Sequence, residues 1–367
     1  MKAVVLVGGV GTRLRPLTLT VPKQVLPIVE IPMIERVLAY LATHGVDEAI
    51  LSLGYLHGAF EALFPDRRAG GVRLAYAVEP EPLDTAGAIG FAAREAGVDE
   101  RFLVVNGDIL TDLVIGAMVA FHQRRGAQAT IALAKVPDPS AFGLVPVDEH
   151  GRVSAFVEKP AQGGEGPSLV NAGTYVLEPS VLDHIPERRR VSVEREVFPV
   201  LAATGSLYGF ESQEYWTDTG TPLQYLQAQL DLVSGRRPGP PVAGARAVGN
   251  GVWFVGDADV VGILQGPAVI GAGARVAADA SVEGSVIGAG SVVHPDARIH
   301  DSVLLPGAVV GANAVVSRSI VGRGATVGEG AEVTDVSVLG DGYAVAPGLR
   351  LYGARLPEAA DLMSAAT

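Results

Sequence analysis

Residues 2–23 read KAVVLVGGVGTRLRPLTLTVPK, and their order decides what kind of chain this is. The apolar run 2–7 stops abruptly at glycine. A short run of that kind predicts a buried strand, as parallel sheets contain. Ligands of open parallel sheets bind beyond the carboxyl ends of the strands, where Gly8, Gly9, Gly11, Thr12 and Arg13 fall. Glycines there let backbone N–H groups approach a phosphate closely, and Arg13, Arg15 and Lys23 supply charge for a polyphosphate. Two other phosphate loops are excluded by spelling. A dinucleotide fingerprint needs glycine where Leu14 stands, and a Walker loop needs Gly-Lys-Ser/Thr where the chain has Gly11-Thr12-Arg13.

Outward from this stretch, short apolar runs alternate with helical spacing. Residues 32–44 carry apolar side chains at helical intervals, with Pro32 at the start and Gly45 just past the end. Strands are predicted at 48–53, 72–77 and 102–105, and helices at 57–64 and 85–95. That alternation predicts an α/β fold with a mainly parallel sheet and helices on both faces. Residues 234–250, SGRRPGPPVAGARAVGN, read as a linker.

Beyond the linker the texture changes to a repeat. Ile270, Val276, Val282, Ile287, Val293, Ile299, Leu304, Val310, Val316, Val321, Val327, Val333 and Leu339 are spaced 6, 6, 5 three times over, a period of 17, before one residue is inserted ahead of Leu339. Two positions before each stands Ala or Ser. A three-part repeat predicts a triangular prism of short strands, one inward aliphatic per side. Stacked turns would align Ile270, Ile287, Leu304, Val321 and Leu339; Val276, Val293, Val310 and Val327; and Val282, Ile299, Val316 and Val333. Gly271, Gly288, Gly311, Gly322 and Gly328 are expected to permit its turns.

Composition narrows the function. The chain has 367 residues, room for one large domain or two ordinary ones. Its net charge of −12 disfavours nucleic acid and anionic membrane as partners, so any phosphate must be held locally. Without cysteine there is no disulfide, thiolate metal site or cysteine nucleophile. The N-terminal apolar run is too short for a signal peptide, and no stretch is long enough to span a membrane, so the cytoplasm is the expected compartment.

The 8–18 motif with Pro22-Lys23 resembles the nucleotide signature of the sugar-1-phosphate nucleotidyltransferases. The likeness continues in order through 81–87 (EPLDTAG), Asn106-Gly107-Asp108, Phe142-Gly143, 157–160 (VEKP), Asn171-Ala172-Gly173 and 215–220 (YWTDTG). The appended repeat resembles the arrangement of mannose-1-phosphate guanylyltransferases. The resemblance implies a Rossmann-like nucleotidyltransferase domain over 1–233, a linker over 234–250, a left-handed parallel β-helix of hexapeptide repeats over 251–355 and a tail over 356–367.

It also implies a reaction: a sugar 1-phosphate attacks the α-phosphorus of a nucleoside triphosphate and pyrophosphate leaves. GTP with mannose 1-phosphate is favoured; a thymidylyl- or uridylyltransferase for glucose 1-phosphate and a non-catalytic regulatory homologue are the alternatives. That nucleophile is already ionised, so the protein must orient two anions and offset their repulsion. The resemblance makes Asp108 and Asp218 ligands of Mg²⁺, with Arg13 and Lys23 on the triphosphate. Gly8, Gly9, Gly11, Thr12, Arg13, Glu81, Asp84, Gly87 and Asp108 would hold the nucleotide, with Gly8 and Gly87 facing base and ribose. Gly143, Glu158, Lys159, Asn171 and Gly173 would hold the sugar phosphate, and Trp216 would pack beneath the metal motif. Self-association into a homo-oligomer is expected from the family. Asp84 departs from the usual glycine of that motif and is a candidate acceptor for guanine; Gln24 resembles the thymidylyltransferase branch; Glu30-Ile31-Pro32 lacks an expected basic residue. Arg188-Arg189-Arg190 is expected to be a solvated loop.

Overall fold

The computed structural model of the chain describes residues 1–54, 56–158, 168–237 and 239–358, with 157 and 158 described by backbone alone. These form two compact units, Met1–Gly9 with Ile34–Thr217, and Val10–Met33 with Asp218–Thr367. The glycine-rich segment after Gly9 thus groups with the repeat, as do residues 218–233, rather than with residues 34–217.

In the first unit, strands Phe102–Asn106, Lys2–Leu6, Glu48–Leu53 and Val72–Val78 lie side by side in that order, all parallel. Ala3, Val4 and Val5 are fully buried, which is why the run is continuously apolar rather than alternating. Beyond Phe102–Asn106 the sheet becomes mixed. Ser168–Leu177 runs antiparallel to it, Ala129–Val136 runs antiparallel to Ser168–Leu177, and Leu207–Ser212 runs parallel to Ala129–Val136. Helix Met33–Thr43 buries Ile34, Val37, Leu38 and Leu41, as its spacing predicts. Helix Asp84–Glu95 buries Ile89 and a run of small residues, Ala86, Gly87, Ala88, Gly90, Ala92 and Ala93. Side chains this small let a helix lie close to its neighbours.

The second unit contains a parallel β-helix whose registers follow the predicted columns. Ile270, Ile287, Leu304, Val321 and Leu339 are successive partners, and Leu356 extends the column, so the β-helix runs into the expected tail. Val276, Val293, Val310 and Val327 continue to Val345. Val282, Ile299, Val316 and Val333 continue to Leu351. Removing each such aliphatic from water contributes roughly 1.5–3 kcal/mol. The Ala and Ser two positions earlier are all fully buried. On one side they form a ladder: Ser302 N donates to Ser285 Oγ (3.0 Å), and Ser319 N to Ser302 Oγ (3.1 Å). A hydroxyl therefore satisfies a corner amide that water cannot reach.

The glycines act differently from expectation. At Gly271, Gly288, Gly311, Gly322 and Gly328 the backbone is not left-handed; a Cβ there would meet backbone atoms of the next coil at 2.5–2.7 Å. They are needed for close stacking, not for turning. The inserted residue is absorbed at a corner where both Asp335 (φ 59°) and Val336 (φ 60°) are left-handed, while the preceding coils use one such residue, Asp301 or Arg318. Arg246–Gly249, inside the expected linker, is a strand antiparallel to Val252–Val255. Helix Pro222–Val233 belongs to this unit; Thr221 caps it by accepting from Gln224 N, with proline in the first turn.

Candidate functional site

In the first unit a cavity of about 230 Å³ opens at the carboxyl ends of the parallel strands. Leu6, Gly8 and Gly9 line it from the first strand, Ser52 from the second and Glu79 from just beyond the third; Pro82, Asp84, Thr85, Ala88 and Arg190 complete it. A Cβ on Gly8 would lie 3.3 Å from Glu79 Oε1 and 3.5 Å from Gly54 N, so glycine keeps this wall thin. Glu79 is held in place: Ser52 Oγ donates to its Oε1 (3.0 Å) and Leu83 N to its Oε2 (3.0 Å).

Asp84 adopts φ 61°, a left-handed conformation that explains why related motifs place glycine there; aspartate is among the few residues that visit it. Its carboxylate is already committed. Oδ1 accepts from Thr85 N (2.8 Å), and Oδ2 lies 3.1 Å from Arg195 Nη2 and 3.7 Å from Arg190 Nε. Arg190, expected in a solvated loop, thus forms part of the cavity rim. Gly87 does not face the cavity. A Cβ there would meet Arg189 O at 2.8 Å, and Gly87 N donates to Val191 O. Glu81 is exposed and outside the cavity lining.

The expected sugar-phosphate residues gather along another stretch of the same unit. Gly143 pairs with Glu158, and Leu144 with Val170, in antiparallel register. Gly173 forms an irregularity in the next strand pair with φ 69°; a Cβ there would meet Asn106 Nδ2 at 2.7 Å. Asn171 steadies this bulge, accepting from Gly173 N and donating to Tyr175 OH (both 2.9 Å). Burial pushes the Tyr175 hydroxyl up, so it stays protonated. Trp216 donates from Nε1 to Ala172 O (3.0 Å) and stacks edge-on against Phe142, 5.4 Å between centroids. It therefore packs on the Asn171–Gly173 bulge. Asp108 follows Phe102–Asn106 in a turn, where Gly107 N donates to Leu6 O. The side chain of Glu158 and all of Lys159 lie outside the described residues.

In the second unit, Gly11 (φ 67°) begins a short 3₁₀ turn, Thr12–Leu14, and its carbonyl accepts from Leu14 N and Thr18 Oγ1. A Cβ on Gly11 would meet Thr18 at 3.1 Å and Lys23 at 3.3 Å. Thr12 and Arg13 are exposed while Leu14 and Leu17 are buried beneath them, so the loop presents its charge from an apolar footing. Arg13 and Asp218 meet over Gly220, where a Cβ would be 2.6 Å from Arg13 Nη2 and 2.9 Å from Asp218 Oδ1. Asp218 Oδ1 also accepts from Gly220 N (2.6 Å). Gln24 is buried and its Oε1 has no hydrogen-bond partner. Its likeness to the thymidylyltransferase branch therefore brings no exposed base-reading group.

Sequence reasoning missed Ser52, Glu79 and Arg190. Glu79 had a signal: it stands within two residues of the end of an apolar strand, as Gly8 and Asp108 do.

The nucleotidyl transferase family matches residues 2–235, and the GMPPB C-terminal domain matches residues 264–360. The chain belongs to the nucleotidyl transferase family. It is 42% identical over 291 residues to a mannose-1-phosphate guanylyltransferase of Mycobacterium tuberculosis, covering 77% of this chain and 79% of that protein. It is 38% identical over 257 residues to mannose-1-phosphate guanylyltransferase 1 of Arabidopsis thaliana, covering 68% and 70%. Among solved structures, HddC of Yersinia pseudotuberculosis complexed with GMP-PN aligns with a TM-score of 0.55 and 29% identity over 62% of this chain and 97% of that one. The chemistry of this nucleotidyltransferase is transfer of a nucleotidyl group from a triphosphate to a sugar phosphate. Among its described residues no helix is long and apolar enough to cross a membrane.

Proposed function

We propose that this enzyme joins GTP to mannose 1-phosphate, forming GDP-mannose and pyrophosphate. Two relatives bearing the guanylyltransferase name support the sugar and the base. The observation that carries the base is the Glu79 carboxylate in the cavity beside Gly8. A carboxylate offers about four acceptor positions, and Ser52 and Leu83 occupy two. Guanine presents two adjacent donors, N1–H and the 2-amino group, which suit one carboxylate. Thymine and uracil present a single N–H between two carbonyls, which the carboxylate would repel. Adenine and cytosine present one amino group beside an acceptor.

The family resemblance assigns Mg²⁺ to Asp108 and Asp218, and their chemistry agrees: a hard cation takes one or two carboxylates and completes its shell with phosphate and water. Bound there, it would offset charge on the α-phosphate and on departing pyrophosphate. Arg13 and Lys23 hold the triphosphate, and the backbone near Gly9 and Gly11 lets phosphate oxygens approach. The sugar phosphate binds along Gly143, Asn171 and Gly173, with Glu158 on its hydroxyls and Lys159 on its phosphate. No general base is required, because the attacking oxygen is ionised. The cytoplasm is its expected place of action, and a homo-oligomer its expected state.

Pyrophosphate release with Mg²⁺ across GTP, dTTP, UTP, ATP and CTP against mannose, glucose, galactose and N-acetylglucosamine 1-phosphates tests this. Turnover should peak at GTP with mannose 1-phosphate, and Glu79→Gln should lower the preference for GTP over dTTP about tenfold or more. A peak at dTTP with glucose 1-phosphate, or binding without turnover, would overturn it.

A further inference from the structure

The β-helix lies directly behind the phosphate-binding loop. Arg355 Nη1, in the last coil, donates to the carbonyl of Arg13 (3.3 Å). One coil earlier, Gly340 leaves room for Pro16 and Pro357; a Cβ there would lie 3.1 Å from each. Farther along the same segment, the Pro27–Ile28 and Ile31–Pro32 hairpin is tied down as well. Glu30 Oε1 accepts from Ala289 N (3.1 Å), Val29 N donates to Gln229 Oε1 (3.1 Å), and Tyr225 OH donates to Pro27 O. Gly340, Ala289 and Arg355 flank Leu339, Ile287 and Leu356 of a single column, so one face of the prism carries these anchors.

We infer that this face is a template that sets the backbone of the Arg13 loop, with Arg355 and Gly340 as positioning residues for triphosphate binding. The inference rests on the reading of Arg13 as a triphosphate contact. The loop is anchored from within by buried Leu14 and Leu17 and by Thr18 Oγ1 on the Gly11 carbonyl, while Thr12, Arg13 and Arg15 are exposed, so the Arg13 carbonyl is the point at which the last coil adds its own hold. A carbonyl fixed by a guanidinium fixes the direction of the residue that bears it. Neither Arg355 nor Gly340 touches substrate in this account; both act through Arg13 and Pro16.

Steady-state kinetics of the full chain, with the triphosphate that the wild type uses best, test this beside calorimetric binding of that triphosphate with Mg²⁺. Arg355→Ala should raise KM and Kd for the triphosphate about fivefold, roughly the value of one hydrogen bond. KM for the sugar phosphate and the melting temperature should stay unchanged. Arg355→Lys should recover most of the loss, since a carbonyl needs one donor. Gly340→Val, which must displace Pro16, should cost more than Arg355→Ala. Arg350→Ala on the same coil, where Arg350 pairs with Glu332, should leave triphosphate KM at the wild-type value. Triphosphate KM and Kd unchanged in both Arg355→Ala and Gly340→Val would overturn the inference. A change in KM for both substrates together with a lowered melting temperature would overturn it too, since that is general destabilisation. A wild type that prefers another nucleotide would refute the GTP assignment alone, because these ratios are taken within one nucleotide.

Discussion

Ile299 of the β-helix has Val282 on one side and Val316 on the other, each one 17-residue turn away, whereas Val4 of the mixed sheet has Ile50 and Val104 as neighbours. The first region is built from neighbours along the chain and the second from distant segments. A stack of near-identical coils is stabilised coil by coil. A sheet assembled from distant segments brings unrelated loops to one edge, and that is how Gly8, Ser52, Glu79 and Arg190 come to line one cavity. The β-helix supplies regularity; the sheet gathers unrelated loops at one edge.

The contrast can be broken most severely at Val310. It is fully buried in the middle of its column, so Val310→Asp should cost about 5 kcal/mol or more and melt the repeat, seen as loss of the thermal transition. Retention of a normal melting profile would show that the columns do not hold the unit together. Asp108→Asn should act on the other side of the comparison. It should reduce turnover about a thousandfold while the melting temperature and circular dichroism stay near wild type, because the residue lies in a half-buried turn rather than in the core. Near-normal turnover would remove Asp108 from the proposed metal site.

Glu30 sharpens the comparison with the smallest effect. Burial raises its carboxyl above the ordinary glutamate range, opposed by the bond from Ala289 N. A carboxyl whose folded pKa is raised stabilises the fold fully below its unfolded pKa, and that stability is lost as pH rises through the folded value. Glu30→Gln, which keeps an acceptor for Ala289 and carries no charge, should therefore raise the melting temperature by about 1 °C at neutral pH and not at all near pH 4. An equal gain at both pH values would point to packing instead of charge.

The columns were legible in the sequence because a period of 17 places each residue beside its own copy, and aliphatic spacing alone then gives the register. Val336 shows the limit: the insertion was visible, but not that two adjacent left-handed residues would absorb it. The glycines show another. Gly271 and Gly288 were expected to turn the chain, yet neither is left-handed, and what excludes a side chain is the backbone of the following coil. In the sheet, the strand ends carrying Gly8 and Asp108 were legible because each follows an apolar run. Glu79 also follows an apolar run but lies in none of the quoted motifs, and its place in the cavity is set by Ser52 and Leu83, which only the fold brings to it.

Local pattern by itself determined the main strands and helices before residue 106 and the coil registers, and motifs continuous in the chain carried the family resemblance, since these depend on side-chain periodicity and on spelling. Only the tertiary structure decided that Asp84 is engaged by arginines, that Glu79 lines the cavity, and that Arg355 reaches Arg13. Each of those pairings joins residues remote in sequence, and no spacing rule acts over such a distance; the packed chain alone brings the charges together.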